Sequence, residues 1–265
     1  MSKKVAIVTG GTSGIGRATA LALQERGYTV YELSRRAEGM PDIRHIVADI
    51  TKEETLQAAV EQVLAVEGRL DLVVNNAGFG ISGAIEFTDT QEAQRLFDTL
   101  FFGMVRMNRC VIPLMRQQGH GRIVNISSVA APVPIPFQAY YSAGKAAINA
   151  YTMALANELR PFGVTVCAVM PGDIKTGFTA ARHKIIDGDD IYQGRIGRSV
   201  QRMEHDEQTG MDPAKGGRYI AAVASREGSH HPLYATRIDY KFFVFLTKVL
   251  PARFLNWLIY QLYGK

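Results

Sequence analysis

The sequence has few of the residues that build disulfide-rich or metal-binding proteins. Its 265 residues include 2 cysteines, Cys110 and Cys167, which are far apart and lie in apolar patterns. This pattern predicts reduced thiols packed in a core rather than a disulfide framework. The 6 histidines show no metal-ligand spacing, and the adjacent His230 and His231 would point in different directions. We therefore expect a reducing compartment and no metal site.

Blocks of like charge and long hydrophobic runs are also missing. The net charge of +5 is small and dispersed, without the Lys and Arg cluster that follows a phosphate backbone. We expect no nucleic-acid partner, whereas small anionic ligands suit this charge. The apolar run from Phe242 to Leu250 is too short to span a bilayer, and Pro251 ends it. The first predicted strand begins at Lys4, which leaves no room for a signal peptide and predicts a cytoplasmic protein.

What the sequence does contain is a regular alternation of strand-like and helix-like segments. Apolar, β-branched runs predict strands at residues 4–9, 29–33, 45–48, 71–74, 121–127, 165–170 and 234–238. Helical spacing predicts helices at residues 17–26, 52–66, 91–117, 137–160 and 211–223. No repeat or linker divides the chain, so we expect one domain over residues 1–265. The alternation favours an α/β Rossmann fold, a doubly wound parallel sheet with helices on both faces, which binds ligands at the carboxyl ends of its strands.

A glycine-rich turn joins the first predicted strand to the first predicted helix. The sequence GGTSGIG allows a tight turn and a close approach to a pyrophosphate, which the amide groups of the helix N-terminus would bind. Its position between a strand and a helix indicates a dinucleotide site. The contact residues predicted here are Gly10, Thr12, Ser13, Gly14, Ile15 and Gly16.

The end of the second strand bears on which dinucleotide binds. An NAD site usually has an acidic residue about 20 positions after the glycines. This chain has the neutral Ser34 there, followed by Arg35 and Arg36. Because a guanidinium suits a 2′-phosphate, we predict NADP(H) over NAD(H). Glu32 is the alternative acid, which keeps NAD(H) open.

Further cofactor contacts are predicted where other strands end. After the third strand an aspartate would reach the adenine, and after the fourth strand amide and small residues let the chain pass close to a ligand. After the sixth strand a proline ends the strand, and a backbone amide and a threonine hydroxyl would hold a carboxamide. These residues are Asp49, Ile50, Asn76, Ala77, Gly78, Pro171, Gly172, Ile174 and Thr176.

A hydroxyl, a phenol and an ammonium form the predicted proton-transfer site. Ser128 follows the fifth strand, and Tyr141 and Lys145 are four residues apart on the next helix, so they share a face. An ammonium beside a phenol favours the phenolate, so we expect the pKa of Tyr141 to lie below its ordinary value of roughly 10. Ser128 would hold the substrate oxygen.

These motifs, in this order, resemble the classical short-chain dehydrogenase/reductase family. The matches are TGGTSGIG at 9–16, NNAG at 75–78, ISS ending at Ser128, YSAGK at 141–145 and PGDIKT at 171–176. The resemblance covers residues 4–180 and implies that Tyr141 donates or accepts the proton. It also implies that Lys145 lowers the pKa of Tyr141 and binds the nicotinamide ribose, that Ser128 orients the substrate, and that hydride passes to or from nicotinamide C4. Dimers and tetramers are common in the family, so a homodimer or homotetramer is expected.

The resemblance is interrupted at one position of the long helix. DTLFFG places Leu100 where the family usually has an asparagine, which serves a proton relay through a helix carbonyl and a bound water. A leucine still permits a carbonyl to act there, and a dinucleotide-binding sensor without turnover is the alternative that this residue supports.

The C-terminal third carries the expectations about substrate. By resemblance, residues 180–210 are a substrate lid. Residues 240–265 form an apolar helical extension, for which core or subunit packing, a wall of a lipophilic pocket, and a helix on a membrane surface are the three interpretations. We expect a lipophilic secondary alcohol or ketone of hydroxysteroid or retinoid type, with a 3-oxoacyl thioester as the alternative substrate.

Overall fold

The strands of the central sheet are short and almost entirely apolar, as expected for parallel strands covered by helices on both sides. The computed structural model describes residues 3–227 and 231–265, and places seven strands in one parallel sheet. Numbered along the chain, they are β1 (Val5–Thr9), β2 (Thr29–Ser34), β3 (Arg44–Val47), β4 (Leu72–Asn75), β5 (Gly121–Ile126), β6 (Val164–Met170) and β7 (Leu233–Ala235). Their order across the sheet is β3-β2-β1-β4-β5-β6-β7.

This strand order creates a crevice at one edge of the sheet. The chain adds strands outward from β1 on one side and then returns to place β4 on the other side. The loops that leave β1 and β4 therefore diverge at their carboxyl ends, which is the ligand position in doubly wound folds. The predicted Rossmann fold with a doubly wound parallel sheet is confirmed.

Helices cover both faces of the sheet. They are α1 (Gly14–Glu25), α2 (Glu53–Glu67), α3 (Thr90–Phe97), α4 (Gly103–Gln118), α5 (Ala139–Leu159), α6 (Phe178–Ala181), α7 (Arg195–Gln208), α8 (Pro213–Ala224), α9 (Ile238–Val249) and α10 (Ala252–Ile259). One core lies between the sheet and helices α2, α4 and α5, and the other lies between the sheet and helices α1 and α8. No helix in the described parts of the chain is long and apolar enough to cross a bilayer.

Three segments differ from the sequence-based expectations. The helix predicted over 91–117 is α3 and α4 joined by a π-helical segment, Asp98–Phe102, which contains Leu100. Helix α5 begins at Ala139 rather than Phe137, because Phe137 has a left-handed φ of 59° that no α-helix contains. The polar segment 180–209 contains a 14-residue helix, α7, whose buried side includes Ile196 and Met203.

Helices α1 and α8 pack closely because of a glycine. A methyl group at Gly217 would lie 2.4 Å from the carbonyl carbon of Ala18 and 2.5 Å from its oxygen. Backbone atoms cannot rotate away as a side chain can, so the two helices would have to separate. The contact explains how α8 covers the sheet beside the first helix.

We therefore expect Gly217→Ala to lower the free energy of unfolding by about 1–3 kcal/mol, the usual cost of an overpacked contact. Urea unfolding followed by circular dichroism measures it. The control is Gly177→Ala, since Gly177 has a φ of −67° and a methyl group added there would meet no neighbouring atom within 4 Å. Equal stability of the two variants would contradict this account of the α1 and α8 contact.

Candidate active site

A large cleft lies at the carboxyl edge of the sheet. Its volume is about 1210 Å³, which exceeds the roughly 300–1,000 Å³ of an ordinary small-molecule pocket. Every residue predicted to bind cofactor or to act in catalysis lines it. They are Gly10, Thr12, Ser13, Gly14, Ile15, Gly16, Ser34, Arg35, Arg36, Asp49, Ile50, Asn76, Ala77, Gly78, Ser128, Tyr141, Lys145, Pro171, Gly172, Ile174 and Thr176. The individual roles of these residues stay predictions.

The glycine turn after β1 has the shape that a pyrophosphate requires. Gly10 and Gly14 adopt left-handed φ values of 66° and 55°, which favour glycine. A methyl group at Gly16 would lie 2.4 Å from the carbonyl oxygen of Gly10. Helix α1 begins at this turn, and neither a side-chain cap from Ser13 nor an acidic residue occupies its first turn. The free amide groups and the helix dipole therefore suit an anion, and the residues present fit a dinucleotide.

Asn76 stabilises the glycine turn through hydrogen bonds to its backbone. Its side-chain amide donates to the carbonyl oxygens of Thr9 at 3.0 Å and Gly10 at 3.2 Å. The Thr9 hydroxyl in turn accepts the backbone N–H groups of Asn76 and Ala77 at 2.9 and 3.1 Å. The side chain of Asn76 thus shapes the turn through the chain's own backbone, while Ala77 and Gly78 lie along the cleft.

The end of β2 presents positive charge to the cleft. Arg35 and Arg36 are exposed, and within residues 3–227 and 231–265 neither guanidinium has a hydrogen-bond or ion-pair partner. Glu32, in contrast, is 0% exposed, and its carboxylate contacts the imidazole of His45. Glu32 does not line the cleft, so in this structure its carboxylate is not exposed to a ribose there. The choice between NADP(H) and NAD(H) stays a prediction.

Tyr141 and Lys145 lie one turn apart on α5, as predicted, and both are buried. Lys145 is 5% exposed, and its Nζ donates to the carbonyl oxygen of Ile126 at 2.7 Å. The same Nζ lies 5.5 Å from the centroid of the Tyr141 ring. The Ser128 hydroxyl accepts the N–H of Ala130 at 3.1 Å, which holds this side chain at the end of β5.

The protonation of this pair differs from the expectation. Burial raises the pKa of Tyr141 to about 12, although a hydrogen bond with Ser128 acts in the opposite direction. Burial also lowers the pKa of Lys145 to about 7. The prediction that the ammonium holds the pKa of Tyr141 below 10 is wrong for the protein without cofactor. The physical reason is that burial of the phenol disfavours its charged phenolate form more than any neighbouring group favours it.

Leu100 fills the place between two glycines next to Tyr141. It is 2% exposed, and a methyl group at Gly78 would lie 2.4 Å from its Cδ2. A methyl group at Gly144 would lie 3.6 Å from its Cδ1. The leucine is therefore a packing residue of the cleft wall, and it brings no polar side chain to the proton-transfer site.

Tyr141 belongs to an apolar cluster. The ring centroids of Tyr141 and Phe178 are 5.8 Å apart. Other apolar groups in this cluster are Phe79, Ile81, Leu96, Leu100, Ala130, Ile135, Tyr140 and Ile185. Five members of this cluster also line the cleft and form an apolar wall there: Phe79, Leu100, Ala130, Ile135 and Phe178. This wall suits an apolar substrate better than a sugar or another strongly polar one.

Sequence reasoning missed one charged group in this wall. Glu207, at the end of α7, lines the cleft. Its Oε2 accepts the Thr179 hydroxyl at 2.6 Å, and its Oε1 pairs with Arg182, whose side chain is 0% exposed. No motif marks Glu207, because its position depends on how the segment after β6 folds over the cleft.

The C-terminal segment also reaches the cleft unexpectedly. The Tyr240 hydroxyl donates to Oδ2 of Asp173 at 2.7 Å and accepts the N–H of Asp173 at 2.9 Å. A methyl group at Gly172 would lie 2.1 Å from the Tyr240 ring, so a glycine is required there. Helix α9 thus holds the loop that follows β6, and Tyr263 from the chain end lines the cleft as well.

Among the described residues, no three metal-ligating side chains form a group. His230, half of the histidine pair considered from the sequence, lies outside the described residues.

A dinucleotide turn, a doubly wound sheet and a buried tyrosine at the strand ends together define a nicotinamide-dependent oxidoreductase of the Rossmann class. The family model for short chain dehydrogenase matches residues 4–185. The chain belongs to the short-chain dehydrogenase family, and it is an NAD(P)-dependent enzyme acting on CH–OH groups.

Known proteins similar to this chain include an enzyme that reduces a lipid ketone. The 3-ketodihydrosphingosine reductase of Bacteroides thetaiotaomicron is 38% identical over 261 residues, 97% of this chain and 94% of that protein. A structure of ElxO with NADP bound has 25% identity and a TM-score of 0.75, and covers 91% of this chain and 99% of that one. The 3-ketoacyl-(acyl-carrier-protein) reductase of Brucella melitensis, complexed with NADH, has 26% identity and a TM-score of 0.74, with coverages of 88% and 96%.

The pKa of Lys145 leads to a pH dependence of stability. Its folded pKa of about 7 lies below the unfolded value of 10.5, so the unfolded chain binds more protons between these values. Stability therefore increases as pH rises from about 7 towards 10. The raised pKa of Tyr141 makes stability decrease as pH rises, but only at pH values above the ordinary tyrosine pKa of 10.0.

We expect the melting temperature of the cofactor-free wild type, relative to Lys145→Met, to rise by about 5 °C between pH 7 and pH 9. Differential scanning calorimetry at several pH values checks this, and the methionine variant corrects for all other titrating groups. A difference that stays constant over this range would contradict a buried lysine with a depressed pKa.

Proposed function

We propose that this chain is an NADPH-dependent reductase of a long-chain lipid ketone. The observation that carries the proposal is that Tyr141 lines the same cleft as the dinucleotide turn and belongs to an apolar cluster whose members Phe79 and Phe178 also line that cleft. The similarity to 3-ketodihydrosphingosine reductase extends over nearly the whole of both chains and supports the same substrate class. The hydroxysteroid or retinoid type predicted from the sequence stays a prediction, and it is an alternative lipophilic substrate.

The chain's own groups supply the proton and the orientation. Ser128 binds the ketone oxygen, and the Tyr141 hydroxyl protonates that oxygen as it becomes an alkoxide. A phenol whose pKa burial raises to about 12 carries its proton at neutral pH, so Tyr141 has a proton to donate when a ketone is reduced. Lys145 lies behind Tyr141 and binds the nicotinamide ribose. The nicotinamide, when bound, supplies the hydride.

NADP(H) is the proposed cofactor because of charge at the end of β2. Arg35 and Arg36 face the cleft without ion-pair partners among the described residues, and Glu32 is buried away from it. A guanidinium binds a phosphate through paired hydrogen bonds, whereas it has no anion to bind on the ribose of NAD. The NADP bound by ElxO supports this choice, and the NADH bound by the Brucella melitensis reductase represents the alternative.

Residues 180–210 are proposed to act as a substrate lid. Ala181, His183, Met203 and Glu207 from this segment line the cleft, so its movement would open or cover the apolar wall. The carboxylate of Glu207 gives the covered site one polar contact.

The proposed activity predicts oxidation of NADPH by 3-ketodihydrosphingosine. Followed by the loss of NADPH absorbance, this reaction should exceed the rates with a ketosteroid, retinal or an acetoacetyl thioester, and NADPH should be preferred over NADH. Tyr141→Phe should lower kcat by about 10²–10⁴-fold through loss of the proton donor. The control is Tyr140→Phe, the neighbouring tyrosine, which does not line the cleft.

Three outcomes would redirect the proposal. Faster turnover of the thioester would favour the 3-oxoacyl thioester reductase, and faster turnover of ketosteroids or retinal would favour that substrate type. NADPH binding without turnover of any ketone would favour the sensor interpretation that Leu100 suggests. Unchanged activity of Tyr141→Phe would contradict the assignment of the proton donor.

We also propose that the C-terminal helices rest on an anionic membrane surface. Residues 240–265 contain no Asp or Glu but four cations, Lys241, Lys248, Arg253 and Lys265. Large apolar side chains on the same segment are exposed: Phe242, Phe243, Phe245, Val249, Phe254, Trp257, Tyr260 and Leu262. Exposed aromatic groups together with positive charge and no negative charge are typical of helices that lie at a lipid interface.

Binding to vesicles tests this contact. The wild type should co-sediment with phosphatidylglycerol vesicles more than with phosphatidylcholine vesicles, and the double variant Phe254→Ala, Trp257→Ala should bind about tenfold more weakly. Phe102→Ala is the matched control, because Phe102 and Phe254 are both 49% exposed. Absence of vesicle binding, with a smaller assembly for the double variant in analytical ultracentrifugation, would instead make this surface a subunit interface. The predicted homodimer or homotetramer would then use it.

A further inference from the structure

Two side chains beneath the dinucleotide turn have no role in the chemistry described above. Glu32 on β2 and His45 on β3 are direct cross-strand partners in the parallel register. The carboxylate of Glu32 is 0% exposed and the imidazole of His45 is 14% exposed, and Oε1 of Glu32 contacts Nδ1 of His45. A buried carboxylate is costly unless it is paired, so the contact accounts for how Glu32 is tolerated in the core.

The other nitrogen of His45 holds the loop that carries the two arginines. Nε2 lies 2.9 Å from the carbonyl oxygen of Arg36. Because a carbonyl only accepts, Nε2 must carry a hydrogen. Nδ1, on the other side of the ring, faces the carboxylate of Glu32. Glu32 thus fixes the orientation of the ring that bonds to Arg36.

The loop also packs directly on the imidazole. A methyl group at Gly39 would lie 2.3 Å from Cβ of His45, so the loop after β2 can lie this close only with glycine there. The loop has no regular secondary structure between Arg35 and Met40. Since the guanidinium groups of Arg35 and Arg36 have no hydrogen-bond or ion-pair partner among the described residues, His45 is the side chain that restrains their backbone.

We propose that Glu32 and His45 form a positioning pair that fixes the backbone at Arg36 for recognition of the adenosine 2′-phosphate. His45 then determines the preference for NADPH over NADH without touching either cofactor. The proposal rests on the proposed use of NADP(H). It differs from a merely structural role, because it affects ligands that carry the 2′-phosphate and spares those that lack it.

Direct binding of nucleotide fragments separates these roles without any turnover. Isothermal titration calorimetry with adenosine 2′,5′-bisphosphate and with AMP isolates the 2′-phosphate. His45→Leu should weaken binding of the bisphosphate by about tenfold and that of AMP by less than about twofold, since one ordering hydrogen bond is lost. His45→Gln should recover part of the loss, because its amide can donate from nearly the same place. The KM for NADPH should rise accordingly, with kcat unchanged.

Tyr31→Phe is the matched control. Its hydroxyl bonds to Glu67 and Arg44 on the face of the strand pair β2 and β3 opposite to Glu32 and His45, and does not contact the arginine loop. It should leave the ratio of the two affinities unchanged. Arg36→Ala, in contrast, should weaken binding of the bisphosphate at least as much as His45→Leu does.

The failure of this inference is distinct from failure of the proposed cofactor. If the wild type binds both fragments equally, the preference for NADP(H) is wrong, and the positioning role is wrong with it. If the wild type prefers the bisphosphate and His45→Leu keeps that preference, or loses affinity for both fragments equally, only the positioning role is overturned. If His45→Leu does not fold, the ratio of the affinities for the bisphosphate and AMP is measured in His45→Gln and Glu32→Gln, and it decides the positioning role in the same way.

Discussion

The burial of one ammonium group determines how the reaction centre is built. Nζ of Lys145 lies inside the protein at the end of β5, where it donates to the carbonyl oxygen of Ile126. This bond fixes α5 against the strand end and so places Tyr141 beside Ser128. The same burial lowers the pKa of Lys145 to about 7 and raises the pKa of the neighbouring phenol to about 12, because a buried site disfavours the charged form of each group.

The two ends of the cleft differ in the charge of the groups that line them. At one end, the free amide groups of α1 and the guanidinium groups of Arg35 and Arg36 attract an anion. Near Tyr141, the carboxylates of Glu207 and Asp173 raise the pKa of the phenol in addition to the larger effect of burial. An anionic dinucleotide therefore suits the first end, whereas the effect of the carboxylates near Tyr141 is partly offset by Arg182, which pairs with Glu207.

The parts of this site that were predictable from sequence are those encoded by neighbouring residues. The glycine turn at 10–16 and the spacing of Tyr141 and Lys145 each form one local element, so their place in the cleft followed from the strand order. The pKa of Tyr141, the burial of Glu32 and the position of Glu207 depend on contacts between distant segments, and no local pattern encodes them. The π-helical segment at Leu100 belongs to the same group, because helical spacing does not distinguish it from α-helix.

The C-terminal extension, residues 240–265, contacts the end of the cleft near Tyr141 and also carries the exposed apolar side chains described above. Tyr240 begins the segment that lacks acidic residues, and its hydroxyl bonds twice to Asp173 in the loop after β6. Helix α9 cannot shift at this point without moving the loop, since the Tyr240 ring lies directly against Gly172. A lipid surface that moves α9 would therefore also move the loop after β6, which lines the cleft. Under the proposed membrane contact, a water-insoluble ketone would reach the site of chemistry directly from the phase in which it is dissolved.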